Sequence, residues 1–257
     1  ESIGYQDLTV VSNTNLKRGG QLKVFAIGGN SFNDFEHTGA NNATRQKDLS
    51  DINYEGSLGV LGMHYDKKSI DQLDRVTRLK LINSVTGVKP GNLVGTVSES
   101  GHANLAVFSS IVHLGSNPSL LGFISRPQTE EVGHTFRNIR QTGFYTINHI
   151  HPEFAKKAHY TSAKFPSDVS EFDACELSEL YVDNFKAPFV KESVFKMGLL
   201  FKEAIDIKLN GTVLVIGEIE NLIISDKAFV NGDIDLEESE GVGISGLNTY
   251  YSLKKID

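Results

Sequence analysis

The stretch Leu93-Val-Gly-Thr-Val-Ser-Glu-Ser-Gly-His-Ala-Asn-Leu-Ala-Val-Phe-Ser-Ser110 decides the fold of this chain. It contains two apolar runs, Leu93–Ser98 and Ala103–Ser110, joined by a polar loop that ends at His102. A loop of this length cannot hold a crossover helix, so the two runs are predicted to form neighbouring antiparallel strands. The stretch therefore favours an antiparallel sheet or barrel over a doubly wound α/β fold.

The same pattern of short apolar runs and tight turns extends in both directions along the chain. Upstream, Leu79–Val85 is predicted to be a strand that ends at the turn Thr86-Gly-Val-Lys-Pro-Gly91. Downstream, Asn210-Gly211 is the strongest short-range hairpin signal in the chain. Further strands are predicted at 120–125, 144–148, 199–209, 212–224 and 247–253, and short helices at 135–143 and 152–158. The sequence thus predicts a mainly β protein, a barrel with short helical insertions.

The composition excludes several classes of protein. The chain has 257 residues, a net charge of −7 and 39% hydrophobic residues, which is enough apolar material for a buried core. Lys and Arg are scattered, so no basic patch indicates a nucleic-acid partner. No apolar run approaches the roughly 20 residues that span a bilayer, so no membrane partner is expected. Cys175 is the single cysteine, and we therefore expect a reducing, cytoplasmic location.

Residues 1–62 differ in composition from the rest of the chain. They are rich in Gly and Asn and contain no proline, since all six prolines lie at or after Pro90. Two short runs, Leu8–Val11 and Leu22–Ile27, are predicted strands within this segment. A charged, helix-compatible stretch, Asp66–Thr77, follows Met63. We interpret 1–62 as an extension or small appended unit and 63–257 as the main domain.

Familiar catalytic motifs are missing from the sequence. No G-x-G-x-x-G fingerprint, Walker loop, G-x-S-x-G elbow or H-E-x-x-H motif occurs, which disfavours a Rossmann dehydrogenase and the common hydrolases. His149 and His151 form a candidate metal pair because alternate residues of a strand share a face, with Glu153 or His159 as a further ligand. Pro152 interrupts the strand before Glu153, so the metal hypothesis is secondary.

Two segments together indicate an anion-binding site. Ser109 and Ser110 end a predicted strand and offer hydroxyl groups. Arg126 ends another strand, and Thr135 is predicted to cap the start of a helix. A helix N-terminus presents unpaired amide groups and the positive end of the helix dipole, and an arginine adds a bidentate contact. This combination suits a phosphate group.

Several segments, taken in order, make the chain resemble the flavin reductase-like FMN-binding split-barrel family. The resemblance runs from about Met63 to the C-terminus and leaves residues 1–62 uncovered. Its most specific part is the segment Asn104-Leu-Ala-Val-Phe-Ser-Ser110, which resembles the family's FMN-contacting strand. The other matching segments are Arg78–Pro90 (the opening strand and turn), Asn117–Pro127, His134–Asn148, Thr161–Phe165 and Ser170–Phe172.

The resemblance implies a Greek-key-like split β-barrel over residues 63–257 that forms a homodimer and binds FMN non-covalently. Asn104 and Ala106 are the implied contacts to the edge of the flavin ring. The implied contacts to the ribityl chain and phosphate are Ser109, Ser110, Arg126, His134 and Thr135, with Asn138 bracing the loop and Thr161 and Ser162 completing the site. Because the flavin carries the redox chemistry, no acid–base pair or nucleophile is required.

The leading hypothesis is an FMN-dependent oxidoreductase that takes electrons from NAD(P)H and passes them to an acceptor that the sequence does not identify. One alternative keeps the barrel and the flavin but removes catalysis, giving an electron carrier or sensor reduced by a partner protein. A second alternative is a metal-dependent enzyme that uses His149 and His151. The sequence contains no motif that separates NADH from NADPH.

Overall fold

The structure, a computed structural model, describes residues 8–11, 23–26, 63–127, 133–166 and 168–256. The chain divides into two compact units, Glu1–Asp74 and Arg75–Asp257. The described part of the first unit contains strands β1 (Leu8–Val11) and β2 (Lys23–Ala26), which pair antiparallel, and helix α1 (Lys67–Gln72). Both strands were predicted from the sequence and are confirmed. The rest of the predicted extension lies outside the described residues, and its boundary at residue 62 stays a prediction.

The second unit is built mainly from β-strands. Its helices are α2 (Arg75–Ser84), α3 (His134–Thr142), α4 (Ala155–Tyr160) and α5 (Glu171–Ala174), with 3₁₀ turns at Pro152–Phe154 and Asp226–Ala228. Its strands are β3 (Lys89–Pro90), β4 (Asn92–Val97), β5 (Ala103–Phe108), β6 (Val112–Ser116), β7 (Ser119–Ser125), β8 (Phe144–His149), β9 (Glu179–Leu180), β10 (Phe189–Val190), β11 (Phe195–Ile207), β12 (Thr212–Ile224), β13 (Phe229–Val230), β14 (Asp233–Ile234), β15 (Val242–Ser245) and β16 (Thr249–Ser252).

Seven of these strands form one antiparallel sheet in the order β5-β4-β8-β11-β12-β7-β6. Its spine is the long hairpin of β11 and β12, in which Ile207 pairs with Thr212 across the predicted Asn210-Gly211 turn. Gly211 has a φ of 74°, the left-handed conformation that glycine adopts without steric cost. The β4–β5 hairpin at the other end is also confirmed, since Ser98 N–H donates to the His102 carbonyl at 2.9 Å.

The sheet curls until β5 approaches β7. The Ser110 hydroxyl, just after β5, accepts the Ile124 N–H at 3.1 Å and donates to the Ile124 carbonyl at 3.3 Å. Inside, the Phe108 and Phe123 rings make an edge contact at 4.9 Å, and Phe123 meets Tyr145 at 5.7 Å. The two ring contacts join opposite walls of the sheet, so the predicted mainly β barrel is confirmed.

Among the described residues, three apolar clusters pack against the sheet, and two of them include residues of β5. One fills the barrel and includes Phe123, Tyr145 and Leu199, together with Phe136 and Ile139 of α3. The other lies between the sheet and the short helices, where Leu105 packs with residues such as Phe172 of α5. Strand β5 therefore contributes to both clusters, with Leu105 on one side and Phe108 on the other.

The predicted strand at Leu79–Val85 is wrong, because these residues lie mostly in helix α2. The apolar run was interpreted with the period of a strand. Val76, Leu79 and Ile82 instead recur every three residues, which is helical spacing. No residue of α2 is buried, so the helix does not occupy the core position that a strand in the barrel wall would require. The opening strand inferred from Arg78–Pro90 is reduced to the two residues of β3.

Candidate functional site

A buried network of polar side chains joins β4, β5 and α3. The Asn104 amide nitrogen donates to the Thr135 hydroxyl at 3.2 Å and lies 3.4 Å from the Thr96 hydroxyl. The Asn138 amide nitrogen donates to the same Thr96 hydroxyl at 3.1 Å. All four residues are less than 10% exposed. The network therefore fixes the start of α3 against the first half of β5.

Helix α3 begins without a side-chain cap. The N-cap residue is Gly133, with a φ of 102°, and it has no side chain that could accept a hydrogen bond from the first turn. The prediction that Thr135 caps the helix is wrong, because the helix begins at His134 and the Thr135 hydroxyl is engaged by Asn104. The first turn also contains no acidic residue. Its amide groups and the positive end of the helix dipole are thus available to an anion.

A cleft of about 420 Å³ opens beside this helix. Its volume falls in the range of about 300–1,000 Å³ that is typical of small-molecule sites. Three of the predicted site residues, Asn104, His134 and Asn138, lie in its wall. The described residues that line it are Ser98, Ser100, His102, Ala103, Asn104, His134, Arg137, Asn138, Gln141, Asp168 and Val169.

The cleft is rich in hydrogen-bond donors. Arg137 supplies a permanent positive charge, and His134, Asn138 and Gln141 come from the same face of α3, at positions i, i+4 and i+7. Asp168 is the single carboxylate in the described lining. Its backbone carbonyl lies 2.8 Å from the His102 Nε2 atom, which joins the opposite walls of the cleft. This chemistry suits a polar, negatively charged ligand.

The other predicted phosphate contacts lie elsewhere along β5. Ser109 and Ser110 follow the end of β5, while the Asn104–Thr135 contact is at its beginning. Five residue steps along a strand span about 16 Å. The Ser110 hydroxyl uses both its donor and its acceptor on Ile124, and exposed Arg126 follows β7. Half-buried Ala106 lies between the two ends, so an elongated ligand along β5 is needed to contact them all.

Thr161 and Ser162 follow α4, and their hydroxyls bind to that helix. Thr161 Oγ1 donates to the Ala158 carbonyl at 2.7 Å, and Ser162 Oγ donates to the His159 carbonyl at the same distance. Thr161 is buried, whereas Ser162 is exposed. Neither residue lies in the described lining of the cleft, and their contact with a flavin stays a prediction.

The two histidines of the metal hypothesis bind different partners. The His149 ring is buried, stacks on Phe195 and lies with its Nδ1 atom 3.3 Å from the Asn92 side-chain oxygen. His151 instead pairs through Nε2 with Glu240 at 3.0 Å. Within the part of the chain that the structure describes, no group of three or more His, Cys, Asp or Glu residues could hold a metal ion.

Four residues of the cleft and its polar network were not predicted from the sequence: Thr96, His102, Arg137 and Gln141. The helical phase of α3 could have identified two of them, because Arg137 and Gln141 share a face with His134 once the helix begins at that residue. Thr96 and His102 carry no comparable signal. Their roles arise from the pairing of β4 with β5 and from a contact with a segment 66 residues away.

Comparison with known proteins adds independent findings. The family model described as "Flavin reductase like domain" matches residues 88–234. A Shewanella frigidimarina protein assigned as a flavin reductase with a split barrel domain is 45% identical, with a TM-score of 0.73 over 76% of this chain and 98% of its own. Component B of nitrilotriacetate monooxygenase from Bacillus cereus is 19% identical, with a TM-score of 0.68 over 76% and 98% of the two chains. Flavoredoxin of Desulfovibrio vulgaris is 19% identical, with a TM-score of 0.58 over 66% and 89%.

The likeness to these structures extends to the architecture. The match covers nearly all of the Shewanella chain, and the share of this chain that it covers exceeds the share matched by the family model. No helix among the described residues is long and apolar enough to cross a membrane.

Proposed function

The chain belongs to the flavin reductase like domain family of flavin-linked oxidoreductases, and on that premise we propose that it binds FMN non-covalently and uses NAD(P)H as the reductant. The observation that carries this proposal is the uncapped start of α3 beside the cleft. Amide groups at a helix N-terminus bind phosphate well, and Arg137 and His134 lie in the same wall. The residues present therefore fit the phosphate end of a flavin nucleotide.

The protein's own contribution is binding and orientation. A bound flavin would supply the redox chemistry between the nicotinamide nucleotide and the electron acceptor. Asn104 and Ala106 are proposed to contact the flavin along β5, with Ser109, Ser110 and Arg126 at the far end of that strand. Thr135 and Asn138 hold the near end by fixing α3 on β4 and β5. A second copy of the chain in a homodimer and a cytoplasmic location complete the proposal.

A flavin-binding electron carrier is the second candidate. It is favoured by the likeness in fold to flavoredoxin, whose name indicates a flavin-containing electron carrier. The carrier and the reductase share the flavin site and differ in whether reduced nicotinamide nucleotides react with the protein directly.

The visible absorption spectrum tests both candidates. We expect the purified protein, supplied with FMN and freed of excess, to retain a yellow chromophore with altered flavin bands. Under anaerobic conditions, NADH or NADPH should bleach these bands rapidly. Retained colour without bleaching would support the carrier instead. Failure to retain or bind FMN at all would contradict the flavin site itself.

Replacing Arg137 with alanine should weaken FMN binding. Loss of one charge-assisted contact is expected to cost about 1.5–3 kcal/mol of binding free energy, or roughly 10- to 100-fold in Kd. Titration of flavin fluorescence measures this change. Arg140→Ala is the matched control, because Arg140 lies on the next turn of α3 but not in the described lining of the cleft.

The FMN affinity of Arg126→Ala is measured in the same titration. It shows whether the far end of β5 contributes to phosphate binding. Unchanged affinity in the Arg137 and Arg126 variants together would reject both ends of β5 as the anion site. Unchanged affinity in the Arg137 variant alone would move the phosphate away from α3.

A further inference from the structure

Glu171 is a buried acid that the proposed flavin contacts leave unexplained. It is the first residue of α5, and only 9% of its surface is exposed. Its Oε2 atom accepts the backbone N–H of Leu105 at 2.9 Å. Burial raises the pKa of the Glu171 carboxyl, and the hydrogen bond from Leu105 opposes this shift. A buried carboxylate is costly unless it is hydrogen-bonded, so this contact offsets part of the cost of burying Glu171.

The partner of Glu171 lies on the edge strand of the large sheet. In the described part of the structure, β5 pairs with β4 on one side, and the Leu105 N–H is directed instead to Glu171. The carboxylate thus takes the place of a neighbouring strand. Leu105 lies between Asn104 and Ala106, which are two of the proposed flavin contacts. The hydrogen bond therefore acts on the backbone that carries both of them.

A second contact joins the same two segments. The His102 Nε2 atom and the Asp168 carbonyl, 2.8 Å apart, are separated by 66 positions, as are Leu105 and Glu171. The segment 168–171 therefore runs beside the segment 102–105 and contacts it at both ends. Glu171 itself is held rigidly, because the Ser170 hydroxyl caps α5 and the neighbouring Phe172 is fully buried.

We propose that Glu171 is a positioning residue for the flavin site: its carboxylate holds the Asn104–Ala106 segment of β5 in the conformation that binds the flavin. This inference rests on the proposed function. Glu171 does not line the cleft, so its effect passes through the Leu105 N–H and on to the Asn104–Thr135 contact.

Two substitutions separate the hydrogen bond from the charge. Glu171→Gln keeps the length of the side chain and a carbonyl oxygen that accepts the Leu105 N–H. Glu171→Asp keeps the charge but is one methylene too short to reach it. We expect the Gln variant to bind FMN within about threefold of the wild type and the Asp variant to bind at least about tenfold more weakly. Leu177→Ala, in the same apolar cluster, is the control for general loss of stability.

The measurements are FMN affinity from fluorescence titration, thermal unfolding, and amide hydrogen exchange of residues 103–108 without flavin. The control variant should unfold at a lower temperature yet bind FMN normally, and exchange in β5 should accelerate only in the Asp variant. Equal FMN affinity of the Asp variant and the wild type would overturn the inference, as would equal weakening in the Gln and Asp variants. If the wild type fails to bind FMN, the proposed function fails, whereas the exchange data still decide whether Glu171 holds β5.

Discussion

Replacing Gly217 with alanine is expected to lower the free energy of unfolding by about 3 kcal/mol, the upper part of the range for overpacked cores. Gly217 lies in β12 opposite the ring of Tyr145, inside the barrel. A Cβ atom at this position would lie 2.8 Å from Tyr145 Cζ and 2.9 Å from Cε1, and closer still to the hydroxyl. Tyr145 has no exposed surface and cannot move without displacing Phe123. Urea denaturation followed by circular dichroism measures the effect.

Matched variants identify the cause of that loss. Gly115→Ala is the control, because its Cβ would meet the Pro118 carbonyl oxygen at an ordinary 3.4 Å. The Tyr145 hydroxyl is buried without a hydrogen-bond partner among the described residues, so Tyr145→Phe should not reduce stability. Combined with Gly217→Ala, it should recover part of the loss by removing the closest contact. Wild-type stability of the Gly217 variant would show that the barrel wall can widen at this point.

Stability is also expected to fall in mildly acidic solution because of His149. Burial lowers the pKa of the His149 imidazole to about 4 from its ordinary value of 6.5. Between these values the unfolded chain binds a proton that the folded chain does not, so lowering the pH favours unfolding. The stabilising contribution is complete above pH 6.5 and is lost as the pH falls towards 4. The total loss from this residue is about 3 kcal/mol at 1.36 kcal/mol per pKa unit.

The control for the pH effect is His149→Gln, which keeps a polar group for Asn92 but does not titrate. Unfolding free energies at several pH values between 4 and 7 should decline less steeply for this variant. The contact of His151 Nε2 with Glu240 is present in both proteins and cancels in the comparison. Identical slopes for the two proteins would mean that the His149 imidazole is protonated as readily in the folded chain as in the unfolded one.

Local signals predicted most of the barrel. The turns at 98–102 and Asn210-Gly211 specify hairpins within a few residues, so strand pairing followed directly from the sequence. Helix α2 was mistaken for a strand because its apolar residues are half-exposed and face no core. A short apolar run looks similar in a strand and in a helix, and here the three-residue spacing of Val76, Leu79 and Ile82 is the signal that separates the two.

The candidate site could be predicted only in part. Asn104, His134 and Asn138, which the resemblance implied as flavin contacts, line the same cleft, and their contact with a flavin stays a prediction. Glu171 lies in the matching segment Ser170–Phe172, but no role was predicted for it, since its contact with Leu105 depends on tertiary structure. The predicted N-cap of α3, Thr135, lies two residues after the observed one, because Gly133, which has no capping side chain, precedes the helix.

The contact between the end of β5 and β7 has a consequence for the dynamics of the barrel. Along most of the wall, neighbouring strands are joined by ladders of hydrogen bonds, whereas the described contacts here include the Phe108–Phe123 ring contact and the two hydrogen bonds of the Ser110 hydroxyl with Ile124. A hydrogen bond contributes about 0.5–1.5 kcal/mol net, far less than the whole fold. We therefore expect the contact between the end of β5 and β7 to open at a lower free energy than the hairpin of β11 and β12, whose strands pair over almost their whole length.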